Sequence, residues 1–220
     1  MLVYELISQE IPPLKQSDTV LKALDWMDQF KVSHLPVIEG RSLIGLISEN
    51  DLLDSSDANK LLSEIPFRIP PCFVFEQQHA YDVIRLMSSM DLSLIPVLNA
   101  SEQYHGCIST MNLIHHMSSM ASVELPGGVL VLEMNQNDYS PSQIAQIVES
   151  NNAKLLSLQV SSLKNSTRLE VTIKVNRESI ADIIQTFHRY QYTIKASFET
   201  GDYSKQMEDR FKQFWHYLNM

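Results

Sequence analysis

The sequence predicts a mixed α/β (α+β) protein: two copies of one small α/β unit related by a pseudo-two-fold axis, then a domain with the element order βαββαβ. Three observations predict this. A stretch of about 60 residues is written twice in the first half. The breaker cluster Leu125-Pro126-Gly127-Gly128 then closes that pattern. Beyond it, apolar residues switch between strand-like and helix-like spacing in the stated order.

Within the repeat, "VLKALDWMDQFKVSHLPVI" (20–38) falls on "AYDVIRLMSSMDLSLIPVL" (80–98), an offset of 60. Met27 meets Met87, Ser33 meets Ser93, Pro36 meets Pro96 and Val37 meets Val97. One extra residue in the following turn makes the offset 61, so that "GLISENDLL" (45–53) meets "GCISTMNLI" (106–114). The two phrases share one skeleton, but Asp51 gives way to Asn112.

Each copy begins with a helix. Val20, Leu21, Leu24 and Met27 recur at helical spacing, as do Ala80, Val83, Ile84 and Met87. A short apolar strand follows ("LPVI", "IPVL"), then a polar turn, a second strand ("LIGLIS", "HGCIS") and a second helix. Some 60 residues are few for an independent core, so the copies are expected to share one. At the start of the second helix, Ser48 and Asp51 have the spacing of a capping box, in which hydroxyl and carboxylate each satisfy a free backbone N–H.

The phrases "SHLPVIEGRSLIGLISENDLL" and "SLIPVLNASEQYHGCISTMNLI" resemble a tandem pair of CBS domains, the cystathionine β-synthase-type regulatory module, over about 1–121. The expected domains are 1–60 and 61–121. The resemblance implies a cleft for an adenosine-containing ligand of the AMP, ADP, ATP, S-adenosylmethionine or NADH class, taken alone or with Mg²⁺. It places Ser48 and Asp51 on the ribose and phosphate, and Pro36, Val37 and Gly45 on the strand wall. It sets His34 near phosphate, and Ser17 and Thr19 (with Asp18 between them) beside the base. A helix N-terminus also favours phosphate through its free amides and dipole. The matching residues of the second copy, Ser109, Asn112, Pro96 and Val97, form a weaker site. There the carboxylate has become an amide and His34 has become Leu94.

In the second half, "VLVLEM" (129–134) reads as a strand and "SPSQIAQIVESNNA" (140–153) as a helix, with Ser140 at the N-cap and Pro141 at N1. "KLLSLQVSS" and "TRLEVTIKV" read as a hairpin around "LKNS". "RESIADIIQTFHRYQ" is a helix and "YTIKASFE" a strand. Leu169, Val171, Ile173 and Val175 alternate onto one face, so one side of the sheet packs on helices and the other faces out. This ferredoxin-like order, with "NQNDYSPSQIAQIVESNNAKLLSLQV", resembles an ACT domain over about 127–200. The resemblance points to Asn135, Asn137 and Asp138 for an amino acid, although Ser142 stands where the family has glycine. A dimerisation or docking role is the alternative. The whole layout is similar to acetoin-utilisation-type CBS–ACT proteins. In the tail (201–220), Met207, Phe211, Phe214, Trp215 and Leu218 form one stripe of an amphipathic helix.

Composition narrows the function. The net charge is −9; residues 1–121 carry 15 acidic and 7 basic residues (−8), and the remainder 11 and 10 (−1). An acidic first half lacks the Lys and Arg that a nucleic-acid backbone or an anionic membrane requires. Around the candidate cleft the cations are few: Lys15, His34, Arg41, Arg68 and Arg85. Cys72 and Cys107 sit in apolar contexts and read as buried thiols. No apolar run approaches a membrane span, and the N-terminus does not read as a signal peptide, so a cytoplasmic protein is expected. No nucleophile–base pair, metal quartet or P-loop is legible. The expectation is a non-enzymatic, homodimeric sensor with an adenosine-type ligand and a protein partner. The alternative is a ligand-independent scaffold.

Overall fold

The computed structural model describes residues 1–55, 57–70, 72–162 and 166–199. The amphipathic tail at 201–220 and part of the expected turn at 163–166 therefore lie outside the described residues. The chain divides into two compact units, Met1–Met117 and Ser118–Met220.

The first unit writes its repeat in backbone geometry. β1 (Leu14–Lys15), α1 (Val20–Phe30), β2 (His34–Glu39), β3 (Ser42–Ser48) and α2 (Glu49–Leu53) make the first copy. β4 (Val74–Phe75), α3 (Ala80–Ser89), β5 (Leu94–Leu98), β6 (Tyr104–Ser109) and α4 (Thr110–Met120) follow in the same order. Each copy contributes a three-stranded sheet, β1-β2-β3 and β4-β5-β6, with the first pair parallel and the second antiparallel. The register breaks at the same place in both, between Val37 and Ile38 and between Val97 and Leu98. Both first helices stop at a left-handed residue, Lys31 (φ 54°) and Asp91 (φ 52°). No glycine marks these stops, and the non-glycine αL residue is held by backbone bonds from Val32 to Met27 and from Leu92 to Met87.

The two-residue strands β1 and β4 carry too little pattern to be read from sequence, and neither was expected. Leu21 was expected on the buried face of α1 but is exposed. The core stripe of α1 is Val20, Ala23 and Met27, which rotates Leu21 outward. The apolar residues of both copies merge into one cluster that includes Leu35, Val37, Leu46 and Ile47 with Leu94, Ile95, Val97 and Ile108.

The segments ahead of β1 and β4 are exchanged between the copies. Val3 and Tyr4 donate backbone N–H groups to Gln78 and Glu76, and Ala80 donates to Met1. Reciprocally, Leu62 and Ser63 donate to Asp18 and Gln16, and Val20 donates to Lys60.

The second unit is a four-stranded sheet with the order β10-β7-β9-β8, every pair antiparallel. Its elements are β7 (Val129–Asn135), α5 (Pro141–Ser150), β8 (Leu155–Ser162), β9 (Arg168–Val175), α6 (Ala181–Arg189) and β10 (Thr193–Phe198). This is the ferredoxin-like βαββαβ order expected. Ser140 caps α5 through Gln143 N–H, with Pro141 at its first position. Leu169, Val171, Ile173 and Val175 are buried with Ile144, Val148, Ile183 and Phe187, so the alternation of β9 does select the helix-covered face.

Gly127 fixes the entrance to this unit. Its φ is +147°, and a Cβ there would lie 1.8 Å from the carbonyl oxygen of Val175. Backbone, rather than a flexible side chain, would have to yield. Gly127→Ala is expected to destabilise the second unit by about 3 kcal/mol. Urea denaturation of wild type and variant, followed by far-UV circular dichroism, measures the difference.

Candidate functional site

Antiparallel pairing of β2 with β3 sets His34 opposite Ser48, where the chain turns into α2. Ser48 is the N-cap, and its Oγ accepts from Asp51 N–H at 3.2 Å. Asp51 Oδ2 in turn accepts from Ser48 N–H at 3.0 Å and from Ser48 Oγ–H at 2.7 Å. The capping box predicted from spacing is therefore present. The Asp51 side chain is only 2% exposed, and its second oxygen, Oδ1, faces Arg68 Nε at 3.6 Å. Arg68 Nη2 reaches Asp54 Oδ2 at 2.6 Å, so one guanidinium spans Asp51 on α2 and Asp54 just beyond its end.

Arg68 is brought there by Phe67. The Phe67 ring rests on Gly45, where a Cβ would come within 3.1 Å of it. In the second copy Ile7 rests on Gly106, and a Cβ there would lie 2.5 Å from Ile7 Cγ2. Each glycine thus receives the leading segment of the other copy.

His34 stands at the seam between the copies. Ser93 N–H donates to His34 Nδ1 at 3.2 Å, and Ser93 Oγ lies 3.0 Å from the same nitrogen. Ser33 N–H donates to Ser93 Oγ at 2.9 Å, and Ser33 Oγ is 3.2 Å from Nδ1. Nδ1 accepts from a backbone amide, so the neutral ring carries its proton on Nε2. Burial holds the His34 pKa below the usual imidazole value, opposed in part by the charge of Asp51.

The other expected residues fall in three places. Pro36 and Val37 are buried in β2, and Val37 pairs with both Leu14 and Gly45 as part of the core. Thr19 caps α1 by accepting from Lys22 N–H at 3.3 Å. Ser17 is exposed and lines a cleft of about 450 Å³ with Lys15, Gln16, Ile38, Glu39 and Gly40. Five strand steps separate His34 from Glu39, roughly 17 Å at about 3.3 Å each. Ser17 therefore sits at the opposite end of β2 from Asp51. The structure brings together Ser48, Asp51 and His34 with Arg68, and leaves Ser17 and Thr19 apart from them.

In the second copy, Ser109 and Asn112 reproduce the cap. Asn112 Oδ1 accepts from Ser109 Oγ–H at 2.6 Å and from Ser109 N–H at 3.3 Å, and Ser109 Oγ accepts from Asn112 N–H at 3.2 Å. Pro96 and Val97 are buried as their counterparts are, and Leu94 fills the place of His34 within the core. The copies share a fold here but not a charge. Phe67 went unread, and Arg68 was read only as a cation near the cleft. The leading segments share little signal: "IPP" stands at 11–13 and again at 69–71, out of step with the offset of 60 that relates the copies.

Cys72 and Cys107 are buried and unpaired with each other. Burial raises both thiols, Cys107 to about 11. In the second unit, Asn135 and Asp138 line a cleft of about 450 Å³ with Gln143, Arg168 and Tyr192. Asn135 Nδ2 donates to Asp138 Oδ2 at 3.3 Å, and Tyr192 O–H donates to Gln143 Oε1 at 2.7 Å. Asn137 lies in the same turn, Gln136–Asp138. Among the described residues no helix is long and apolar enough to cross a membrane. None of them form a group of three or more His, Cys, Asp or Glu side chains that could hold a metal.

Residues 3–57 match the family model described as "CBS domain". The chain is 24% identical over 112 residues to an uncharacterized protein of Methanocaldococcus jannaschii, covering 51% of this chain and 42% of that protein. It is 28% identical over 120 residues to a homoserine O-acetyltransferase of Methanobrevibacter ruminantium, covering 54% of this chain and 24% of the enzyme. The chain thus spans less than half the length of these curated relatives. A crystal structure of another M. jannaschii protein superposes with a TM-score of 0.50 at 21% identity, over 57% of this chain and 62% of that one, which is a likeness of fold.

The His34 seam makes the first unit acid-sensitive. Its folded-state pKa is lowered, so the unfolded chain binds the proton more readily. The seam's contribution is complete above the unfolded value of roughly 6.5 and is lost as pH falls below it. Melting curves at pH 7.5 and 5.5 are expected to show a larger acid-induced loss for wild type than for His34→Gln, whose amide oxygen can accept from Ser93 without titrating.

Proposed function

We propose that this chain, whose first unit is a pair of CBS domains, is a non-enzymatic sensor that takes an adenosine-type ligand at Ser48 and Asp51. One observation carries the reading. The cap engages Asp51 Oδ2 and leaves Oδ1 with Arg68 at 3.6 Å, outside hydrogen-bond reach. A carboxylate oxygen with spare acceptor capacity at a helix N-terminus suits the paired hydroxyls of a ribose. In the second copy an amide occupies that place; with its oxygen committed to the cap, the group left over is an NH₂ donor. One ligand per chain follows. His34 feels the charge of Asp51 and bonds to Ser93, so a change at the sugar is felt at the seam. That change becomes a signal only through different affinities for two arrangements of the copies. The protein acts as a cytoplasmic homodimer, and the ACT-like second unit serves in dimerisation or docking to a protein partner.

A second reading has its own support. The Ser48–Asp51 box is complete without any ligand, as a scaffold would require. Asp51→Asn separates the two, because Asn112 demonstrates that an amide keeps this cap. The variant is expected to hold its own stability within about 1 kcal/mol. Calorimetry and melting with AMP, ADP, ATP, S-adenosylmethionine and NADH should give one site per wild-type chain. Stabilisation should reach about 2.7 kcal/mol at a hundredfold excess over Kd, and should vanish in the variant. Two equal sites would overturn the asymmetry. No heat or melting shift with any ligand would leave the scaffold.

A further inference from the structure

We infer that the C-terminal segment, residues 201–220, covers the outer face of its own unit's sheet on the β7–β10 side, and withholds that face from a partner until the segment leaves it.

Alternation divides each strand of the second unit between two faces. Leu130, Leu132, Val171 and Ile173 are buried beneath the helices. The register sets Val129 beside Lys174 and Phe198, and Val131 beside Thr172 and Ala196, all on the opposite face. The apolar side chains of that face gather on β7 and β10. Val129, Val131 and Ala196 are half-buried, and Phe198 is 60% exposed. Elsewhere the face is polar and pairs with itself, Arg168 with Glu133 and Lys195 with Glu170. On the β8 side, Ser157 Oγ–H donates to Ala121 O at 3.1 Å, so backbone already holds that corner. The apolar half ends in an exposed ring instead.

The occupant follows from where the described chain stops. β10 is an edge strand, and Phe198 ends it beside Val129. The segment 201–220 follows at once, so it sets out from the apolar patch. Its sequence stripe, Met207, Phe211, Phe214, Trp215 and Leu218, spans eleven steps, roughly 17 Å at about 1.5 Å per helical residue. β7 spans six steps, roughly 20 Å at about 3.3 Å each. Stripe and strand therefore match in length. Eight residues, 199–206, join Phe198 to the stripe, a reach of up to about 26 Å and enough to reverse direction.

Energetics favour the same place. A helix of this length is marginal in water alone and gains stability by burying its apolar side. A sheet with helices on one face leaves the other to water unless something covers it. Charge does not oppose the contact, since Asp202, Glu208 and Asp209 balance Lys205, Arg210 and Lys212. The outer sides of α5 and α6 offer no rival surface, because they expose Gln146, Glu149, Asp182, Gln185, His188 and Arg189.

The test reads the accessibility of Thr172, half-buried in the middle of the outer face. Thr172→Cys is placed in the full chain and its reaction with a thiol reagent is timed; Cys72 and Cys107 are buried and give a slow background. Gln185→Cys, on the outside of α6, is the reference. Phe211→Asp with Trp215→Asp spoils the stripe without touching the sheet. These two substitutions are expected to speed the reaction at Thr172→Cys by about tenfold or more, the scale of a suppressed local opening, and to leave Gln185→Cys unchanged. With the native segment, dilution should not alter the rate. Equal rates at Thr172→Cys with and without the stripe overturn the proposal. A gain at Gln185→Cys instead would put the segment on the helices, and a rate that rises on dilution would give it to a second copy; each overturns it too. A second measurement adds no charge to the segment. In a Trp26→Phe chain, Trp215 should emit to the blue of a free 201–220 peptide and resist iodide quenching, and Val131→Glu should undo both. Peptide-like emission before that substitution overturns the proposal.

Discussion

Each copy of the repeat is completed by backbone that belongs to the other. The segment ahead of β1 hydrogen-bonds to the turn before α3, and the segment ahead of β4 hydrogen-bonds to the turn before α1. Where each crosses its host it lies on a glycine, Ile7 over Gly106 and Phe67 over Gly45. This exchange answers the problem of size. Some 60 residues bury too little surface to fold alone, and reciprocal lending gives both copies one continuous core. It also fixes the geometry at α2, since Arg68 reaches Asp51 only because Phe67 has been laid on the first copy.

The same exchange sets the reach of local sequence pattern. Local periodicity placed α1, β2, β3 and their counterparts, because such signals need only a few neighbouring residues. The Ser48–Asp51 cap was legible for the same reason: both partners sit within one helical turn. The alternation of Leu169, Val171, Ile173 and Val175 named the buried face of β9 before any packing was visible. β1 and β4 escaped because two residues have no period. Leu21 was placed inside because its spacing fits a helix whose buried stripe is in fact centred on Ala23.

The candidate site was legible only in its local half. Ser48, Asp51 and His34 are close in sequence or paired across one hairpin; the first two follow from the repeat and the cap, and His34 from the family resemblance. Arg68 arrives from 17 positions beyond Asp51, and Ser93 from the other copy. Nothing in the pattern around Arg68 announces its partner, because an ion pair leaves no periodic trace. Ser17 and Thr19 are joined to Asp51 by the family resemblance, which sets them beside the base. A six-residue strand holds them apart, since neighbours in a repeat need not be neighbours at its ends.

The substitution of Asn112 for Asp51 then has a physical meaning that the repeat alone could not supply. Both residues accept the same two hydrogen bonds from the serine three positions earlier, so helix capping places no pressure on the choice between them. The difference lies in the atom left over: an oxygen that accepts, beside an arginine, against a nitrogen that donates, with no arginine at the matching place. Capping is thus common to the two copies, and chemistry is private to the first. A duplicated module folded through mutual exchange can keep its architecture while one half changes, because the atoms that hold the helix and the atoms that face outward are different atoms of the same side chain.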